Sequence, residues 1–304
     1  MEGQLNRPNI FALTKARLAP FHFKVALLVV PLLAGTTAQP AQGQRIKITK
    51  INPPGATYSW ASGLNRQGKT VVGAFTNAKG VLAGFEYVQS KYHTIVYPGA
   101  VKYTEANDVN DSNTIVGAFV GKDGYFHGYL LRGAKFTRYD VSKKAHVSTV
   151  IYGINNGGNF VGYTAPQGVD DIGFVKVGGK LTQFRVKGDT TIPFAINNSN
   201  DIVGLMIDPP PLSYSHGFHR DAKGKAIQID FPGSHQTSCL GINDAGEITG
   251  LYVDSNNVAH GYTLIKGKFK TSTLPDIGKI NDSGMFVGSY TSHSGQTYGY
   301  LARP

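Results

Sequence analysis

The chain has 304 residues, including 38 glycines, 16 tyrosines, 16 phenylalanines and one cysteine, and a net charge of +11. A single cysteine excludes an intramolecular disulfide, so an oxidising compartment is tolerated but not exploited. The lysines are scattered through turn-like segments, and neither a nucleic-acid module nor a basic–aromatic interleaving accompanies them, so nucleic acid is not an expected partner.

Residues 1–38 read as a secretory signal peptide. Arg7, Lys15, Arg17 and Lys24 form a basic leader, residues 25–35 form a short apolar core, and Thr36, Thr37 and Ala38 supply small residues for cleavage after Ala38. The core is shorter than the roughly 20 residues of a membrane helix, so no membrane span is expected in the mature chain; an uncleaved N-terminal anchor is the alternative. Residues 39–44 are a linker. The expected location is secreted or periplasmic. Without residues 1–38 the net charge is about +8, which suits an anionic polysaccharide or a cell-envelope component as partner, or simply a solvated basic surface.

Residues 45–304 carry one phrase six times. An aliphatic residue and an asparagine (Asn65, Asn110, Asn155, Asn197, Asn243, Asn281) lead through a short polar turn into a β-rich run closed by glycine (Gly73, Gly117, Gly162, Gly204, Gly250, Gly288). Asparagine and glycine are seven residues apart in every copy but the first, where they are eight apart. A Gly–aromatic pair follows at a nearly fixed step: Gly84-Phe85, Gly128-Tyr129, Gly173-Phe174, Gly217-Phe218, Gly261-Tyr262 and Gly299-Tyr300. A last β-like run follows a turn often marked Gly-Lys. No stretch has a helical period. Each copy thus supplies four short runs, A to D, with hairpin chemistry at the Asn-(Asp/Asn)-x-(Gly/Asn) link between A and B. Four antiparallel strands in about 40–45 residues are the size of one propeller blade.

The last copy stops after its C run, and residues 44–55 look like an orphan D run. Moving that strand to the last copy completes a sixth blade and leaves no sheet edge at the seam. The expected fold is therefore an all-β, six-bladed propeller of four-stranded blades, closed by the N-terminal strand pairing into the last blade. A β-solenoid and a split sandwich are the alternatives.

The run GIN-(N/D)-x-G-x-(I/V)-V-G-x-(F/Y), followed by HGF or HGY and then G-x-F-x-x-(I/Y)-D, resembles the HAF-repeat family of bacterial extracellular proteins. The triplet corresponds to His127-Gly128-Tyr129, His216-Gly217-Phe218 and His260-Gly261-Tyr262, while Ala83, Ile172 and Tyr298 replace the histidine in the other copies. The resemblance implies an exported, propeller-like repeat protein and assigns no activity.

No cofactor or metal is expected. The triplet histidines occur at most once per blade and are expected to make polar contacts between neighbouring blades. Asp111, Asp244 and Asp282 read as turn residues, and Cys239 stands in an apolar column that marks it as a buried, inert thiol. The D–A and B–C links vary in length and emerge on one face of the ring, where binding surfaces usually sit. The candidate ligand-binding residues on that face are Tyr58, Trp60, Tyr103, Glu105, His146, Tyr214, His235 and Asp276. Aromatic faces beside a few polar groups suit sugar rings. The expected function is a non-catalytic exported binding module whose ligand is an extracellular polysaccharide, an envelope component or a partner protein. The alternatives are a propeller-type hydrolase or lyase acting on an extracellular polymer and using Glu105, Asp276 and a histidine, and a purely structural surface repeat protein. No catalytic residue is singled out.

Overall fold

The computed structural model describes residues 46–304 apart from 188, 189, 212, 213, 275 and 293; the expected signal peptide and linker lie outside the described residues. Every regular element among the described residues is a strand.

Blade 1 consists of β2 (Ala56–Leu64), β3 (Thr70–Asn77), β4 (Leu82–Val88) and β5 (Lys91–Ile95). Blade 2 consists of β6 (Thr104–Val109), β7 (Thr114–Val120), β8 (Phe126–Arg132) and β9 (Lys135–Tyr139). Blade 3 is β10 (Val147–Ile154), β11 (Phe160–Pro166), β12 (Ile172–Val177) and β13 (Lys180–Phe184). Blade 4 is β14 (Thr190–Ile196), β15 (Ile202–Ile207), β16 (Ser215–Arg220) and β17 (Ala226–Ile229). Blade 5 is β18 (Gln236–Ile242), β19 (Ile248–Val253), β20 (Ala259–Ile265) and β21 (Lys268–Thr271). These five sheets are antiparallel meanders in chain order.

Blade 6 contains β22 (Phe286–Thr291), β23 (Thr297–Arg303) and β1 (Lys47–Ile51), in the order β1-β23-β22. β1 pairs antiparallel with β23 from Lys47 opposite Arg303 to Ile51 opposite Gly299, so the N-terminal strand closes the ring. The innermost run of this blade is irregular. It is tied to β22 by an isolated bridge between Ile280 and Phe286 and by hydrogen bonds from Gly278 N to Val287 O and from Val287 N to Lys279 O. The A strands of successive blades lie against one another and surround the ring axis.

The repeat glycines have a common reason. Each A strand of blades 1–5 carries a bulge near its end, for example between Ala106 and Asp108. The glycine of strand B faces this bulge. A Cβ on Gly117 would lie 1.9 Å from Glu105 O and 2.9 Å from the Tyr129 hydroxyl. The missing side chain lets the aromatic ring of strand C cross strand B, and Tyr129 Oη donates to Glu105 O at 2.9 Å. Tyr262 does the same to Ser238 O, and Tyr300 to Asp276 O. Phe85, Phe174 and Phe218 fill the same site without the hydroxyl, and all six rings are essentially inaccessible. The second glycine serves the seam between blades. A Cβ on Gly217 would lie 2.6 Å from Cys239 Sγ in the next blade, and one on Gly299 would lie 2.8 Å from Ala61 N.

The repeat asparagines join the blades. Each closes its own A–B turn, as Asn110 Oδ1 does by accepting from Thr114 N at 2.9 Å. The side-chain amide then donates across the seam: Asn110 to Asn155 O, Asn155 to Asn197 O, Asn197 to Asn243 O, Asn243 to Asn281 O and Asn281 to Asn65 O, at 2.9–3.3 Å. The turn residue expected to take positive φ does so in every copy: Gly68, Asn113, Gly158, Asn200, Gly246 and Gly284. Asp111, Asp244 and Asp282 do more than shape turns. Backbone N–H groups donate around a second ring, from Arg66 to Asp111, Asp111 to Asn156, Asn156 to Asn198, Asn198 to Asp244 and Asp244 to Asp282. Arginine cannot accept the sixth bond; the ion pair from Arg66 Nε to Asp282 Oδ2, at 3.1 Å, closes the circle instead.

Closure by β1 generates a prediction. Ile51 is fully buried against Ala61, Phe85, Val287 and Leu301. Ile51→Ala should destabilise the propeller by about 2–4 kcal/mol in urea unfolding, in the range for a large-to-small core substitution. Removal of residues 46–52 should abolish a single cooperative transition; retention of wild-type stability would mean that the ring closes without this strand.

Candidate functional site

Besides the repeat asparagines, the A strands place two columns of residues near the axis. Two residues before each repeat asparagine stand Gly63, Asp108, Gly153, Ala195, Gly241 and Lys279. Four of the six are glycine or alanine because neighbouring backbones approach closely here. A Cβ on Gly63 would lie 2.6 Å from Asp108 Cα, and one on Gly241 would lie 2.8 Å from Lys279 Cα. The two long side chains meet across the axis, with Lys279 Nζ 2.7 Å from Asp108 Oδ2 and the side chains 11% and 9% exposed. Lys279 Nζ also donates to Tyr152 O, and Ile154 N donates to Asp108 Oδ2 at 3.0 Å. Burial pushes the carboxyl up and the ammonium down, and each is opposed by its partner's charge. With the asparagine rings, this pair lines a shallow depression of about 80 Å³ on the A–B face. The central concavity therefore lies on the face opposite the one expected to bind ligand.

Five residues before the asparagines stand Trp60, Glu105, Val150, Ile192, Ser238 and Asp276. Trp60, Glu105 and Asp276 are thus the same position in blades 1, 2 and 6. Tyr58, Trp60 and Glu105 were expected on D–A links; Tyr58 and Trp60 lie in β2 and Glu105 lies in β6, because the innermost strands start earlier than the link lengths suggested. Tyr58 is 40% exposed, and its ring packs edge-on to Trp60 with centroids 5.5 Å apart. Burial and the charge of nearby Asp276 raise the Tyr58 pKa. Glu105 is buried, accepting from Tyr103 Oη at 2.8 Å and from Asn107 Nδ2 at 2.9 Å. Asp276 accepts from both the amide and the hydroxyl of Ser289; burial raises its pKa, against those hydrogen bonds.

The other candidates sit farther out. His146, exposed and at φ +64°, is hydrogen-bonded through Nδ1 to Tyr125 Oη at 2.6 Å. Tyr214 is 44% exposed beside β16, and His235 is exposed beside β18. The structure thus groups Tyr58, Trp60 and Asp276 at the seam of blades 6 and 1, and Tyr103 with Glu105 in blade 2, leaving His146, Tyr214 and His235 on separate links. Asp171, on the B–C link of blade 3, was not singled out by the sequence. Burial and the neighbouring Asp170 push it up to about 6, against the pull of Arg185. Nothing in the chain marks it except the Asp-Asp doublet.

The triplet histidines work within blades, not between them. His127 is bracketed by Asp140, at the end of strand D, at 2.9 Å, and by Asp123, on the B–C link, at 3.0 Å. His216 is bracketed likewise by Asp230 at 2.8 Å and Asp208 at 3.0 Å, and His260 meets Asp254 at 2.9 Å. Cys239 is fully buried with its thiol 3.2 Å from Tyr262 Oη, and burial pushes its pKa up to about 12, so it is inert. No group of three or more His, Cys, Asp or Glu side chains among the described residues is placed to hold a metal ion.

No protein-family model matches the sequence, and no curated protein matches it. Solved structures match the fold. A TolB-like protein from Agrobacterium tumefaciens has a TM-score of 0.56 at 11% identity over 85% of this chain and 98% of its own. An AofleA triple mutant from Arthrobotrys oligospora has a TM-score of 0.54 at 14% identity over 84% and 86%. The SapL1 lectin, in complex with alpha methyl fucoside, has a TM-score of 0.51 at 12% identity over 79% and 89%. The chain is a six-bladed β-propeller, and these structures share that fold with it.

Two predictions arise here. Lys279→Met should leave Asp108 buried without its cation and cost about 3–5 kcal/mol, as breakage of a buried pair does. The Asp108→Leu, Lys279→Met double variant should recover much of that loss in chemical denaturation. The second prediction concerns pH. Burial lowers the pKa values of His127 and His216, but hydrogen bonds to their paired aspartates outweigh it, leaving both above the ordinary value. The stabilisation is therefore fully present below the unfolded histidine pKa of about 6.5 and is lost as pH rises through the higher folded values. Thermal midpoints measured from pH 5.5 to pH 8.5 should fall more steeply for the wild type than for the His127→Gln, His216→Gln double variant.

Proposed function

We propose that this chain is an exported, non-catalytic binding propeller that holds a polysaccharide on its D–A/B–C face, with Tyr58 and Trp60 as the platform. The observation that carries the reading is the edge-on Tyr58–Trp60 pair, with Tyr58 open to solvent. Rigid aromatic rings beside a polar group are the usual means of gripping a sugar's apolar face and its hydroxyls, and the hydroxyl of half-exposed Tyr58 supplies the polar group. The carboxylates a hydrolase would use are already committed, Glu105 to Tyr103 and Asn107, and Asp276 to Ser289. The SapL1 lectin, whose fold this chain shares, holds alpha methyl fucoside and lends the reading support. The basic leader and short apolar core support secretion or export to the periplasm, and the six-fold motif supports membership of the HAF-repeat family, with the triplet histidine as a brace within the three blades that carry it.

The test is binding of the full chain to an array of neutral and acidic glycans at low and high salt. Tyr58→Ala removes an exposed ring at little risk to folding. It should weaken a salt-resistant hit at least about tenfold, in line with the truncation of an interface aromatic, and Trp60→Ala should abolish it. Wild-type affinity in both variants would remove the aromatic platform from the reading.

A further inference from the structure

A groove of about 310 Å³ opens on the A–B face between blades 2 and 3, well away from Tyr58 and Trp60. Its walls are Ser112 and Thr114 of blade 2 and Asn156, Gly157 and Gly158 of blade 3, with Arg132 at the end of β8 projecting into it. The volume is at the small end of the range for small-ligand pockets, roughly 300–1,000 Å³.

The groove is open because of what occupies one turn position. In blades 2 and 4 the positive-φ residue of the A–B turn is asparagine, and it reaches back to close the seam with the preceding blade. Asn113 donates to Glu86 Oε1 at 2.7 Å, and Asn200 Oδ1 accepts from Asn159 Nδ2 at 2.8 Å and from Asn155 Nδ2 at 3.0 Å. At the seam of blades 6 and 1, Met285 packs against Gly68 and fills the space. At the seam of blades 2 and 3 the turn residue is Gly158, at φ +73°, with nothing within 4 Å of where its Cβ would be. The facing side chain is the short Thr114.

Arg132 is the charged group of this groove. Among the described residues its guanidinium has one hydrogen bond, a long one from Nε to Thr114 Oγ1 at 3.4 Å, and no acidic side chain pairs with it. Its Nη groups are thus available as a planar donor fork. Ser112 Oγ donates to Asn110 Oδ1 and keeps its lone pairs to accept, whereas Thr114 Oγ1, which already accepts from Arg132 Nε, keeps its hydroxyl proton to donate. Asn156 is already held by Asp111 through both ends of its amide and acts as a wall.

We propose that this groove binds a carboxylate-bearing sugar, a uronate unit of an acidic polysaccharide, with the carboxylate on Arg132 and the ring hydroxyls toward Ser112 and Thr114. A single guanidinium matches a carboxylate monoanion in charge and bidentate geometry. A phosphate dianion would leave a negative charge over beside Asp111, and the groove offers no second cation.

The experiment is titration of the full chain with trigalacturonate, with its methyl ester and with maltotriose as uncharged controls and glucose 6-phosphate as the phosphate control. Trigalacturonate should bind and the controls should not. Arg132→Gln should weaken it about tenfold or more, as loss of a charge-assisted bidentate pair does. Gly158→Asn changes no charge and places in this turn the residue that blades 2 and 4 carry at positive φ, so it should still fold with a single cooperative melting transition, a little below the wild type's, and lose binding. That second variant separates a seated ligand from attraction to the basic surface as a whole. The salt-resistant glycan hit that Tyr58→Ala weakens is read on a different ligand from trigalacturonate, so failure of the aromatic face and failure of this groove are distinguishable. Wild-type affinity in Gly158→Asn, preference for the phosphate, or no binding of trigalacturonate would each overturn the assignment.

Discussion

The ring depends on one asparagine side chain used twice. Its carbonyl oxygen accepts backbone N–H groups within its own A–B turn, and at five of the six seams its amide donates to the matching backbone carbonyl of the next blade. Aspartate could make the first bond but has no donor for the second. Each bond contributes a modest net stabilisation, on the order of 1 kcal/mol, but each joins residues 38–46 apart within the ring and, from Asn281 to Asn65, the two ends of it. The A strands are thereby held so close that the column two residues earlier is reduced to glycine or alanine in four blades. Asp108 and Lys279 can meet across the axis only because Gly63, Gly153 and Gly241 leave room. The axial ion pair is therefore a consequence of the ring geometry, and its retention in place of apolar filler is compatible with a role in fixing the order of the blades.

The same logic sets what could be read from the chain. The repeat period, the turn chemistry and the orphan strand at residues 47–51 are local or periodic signals, and they lead to a six-bladed ring with a shared last blade. The positive-φ positions follow from the residue types that tolerate them. The partners of a side chain across a seam do not follow, because they depend on how two sheets are juxtaposed. Thus Asp111, Asp244 and Asp282 read as turn residues when they also clamp neighbouring blades, and His127 and His216 read as links between blades when they brace one. Lys279 and Asp108 are 171 residues apart in the sequence, and neither stands out from the scattered charges around it. Tyr58, Trp60 and Asp276 were legible as types suited to a ligand, but their common seam was not. The irregular inner run of blade 6 was also hidden, since its shorter repeat looks like a trimmed copy of the others.

Function in such a ring has to come from the positions that the repeat leaves free. The asparagine, both glycines and the aromatic of strand C are committed to joining or filling blades, and they cannot vary without loosening a seam. The residue at positive φ in each A–B turn is constrained in backbone but not in side chain. Asparagine there stitches the seam, as Asn113 and Asn200 do, whereas glycine leaves it to whatever faces it. Opposite Gly68 that is Met285, which closes the space with apolar bulk; opposite Gly158 it is Thr114, which does not. The choice of residue at this turn position, together with the side chain that faces it, thus bears on whether a seam is sealed or open. The propeller can acquire a groove at one seam without altering a strand, a turn type or the ring that holds the blades together.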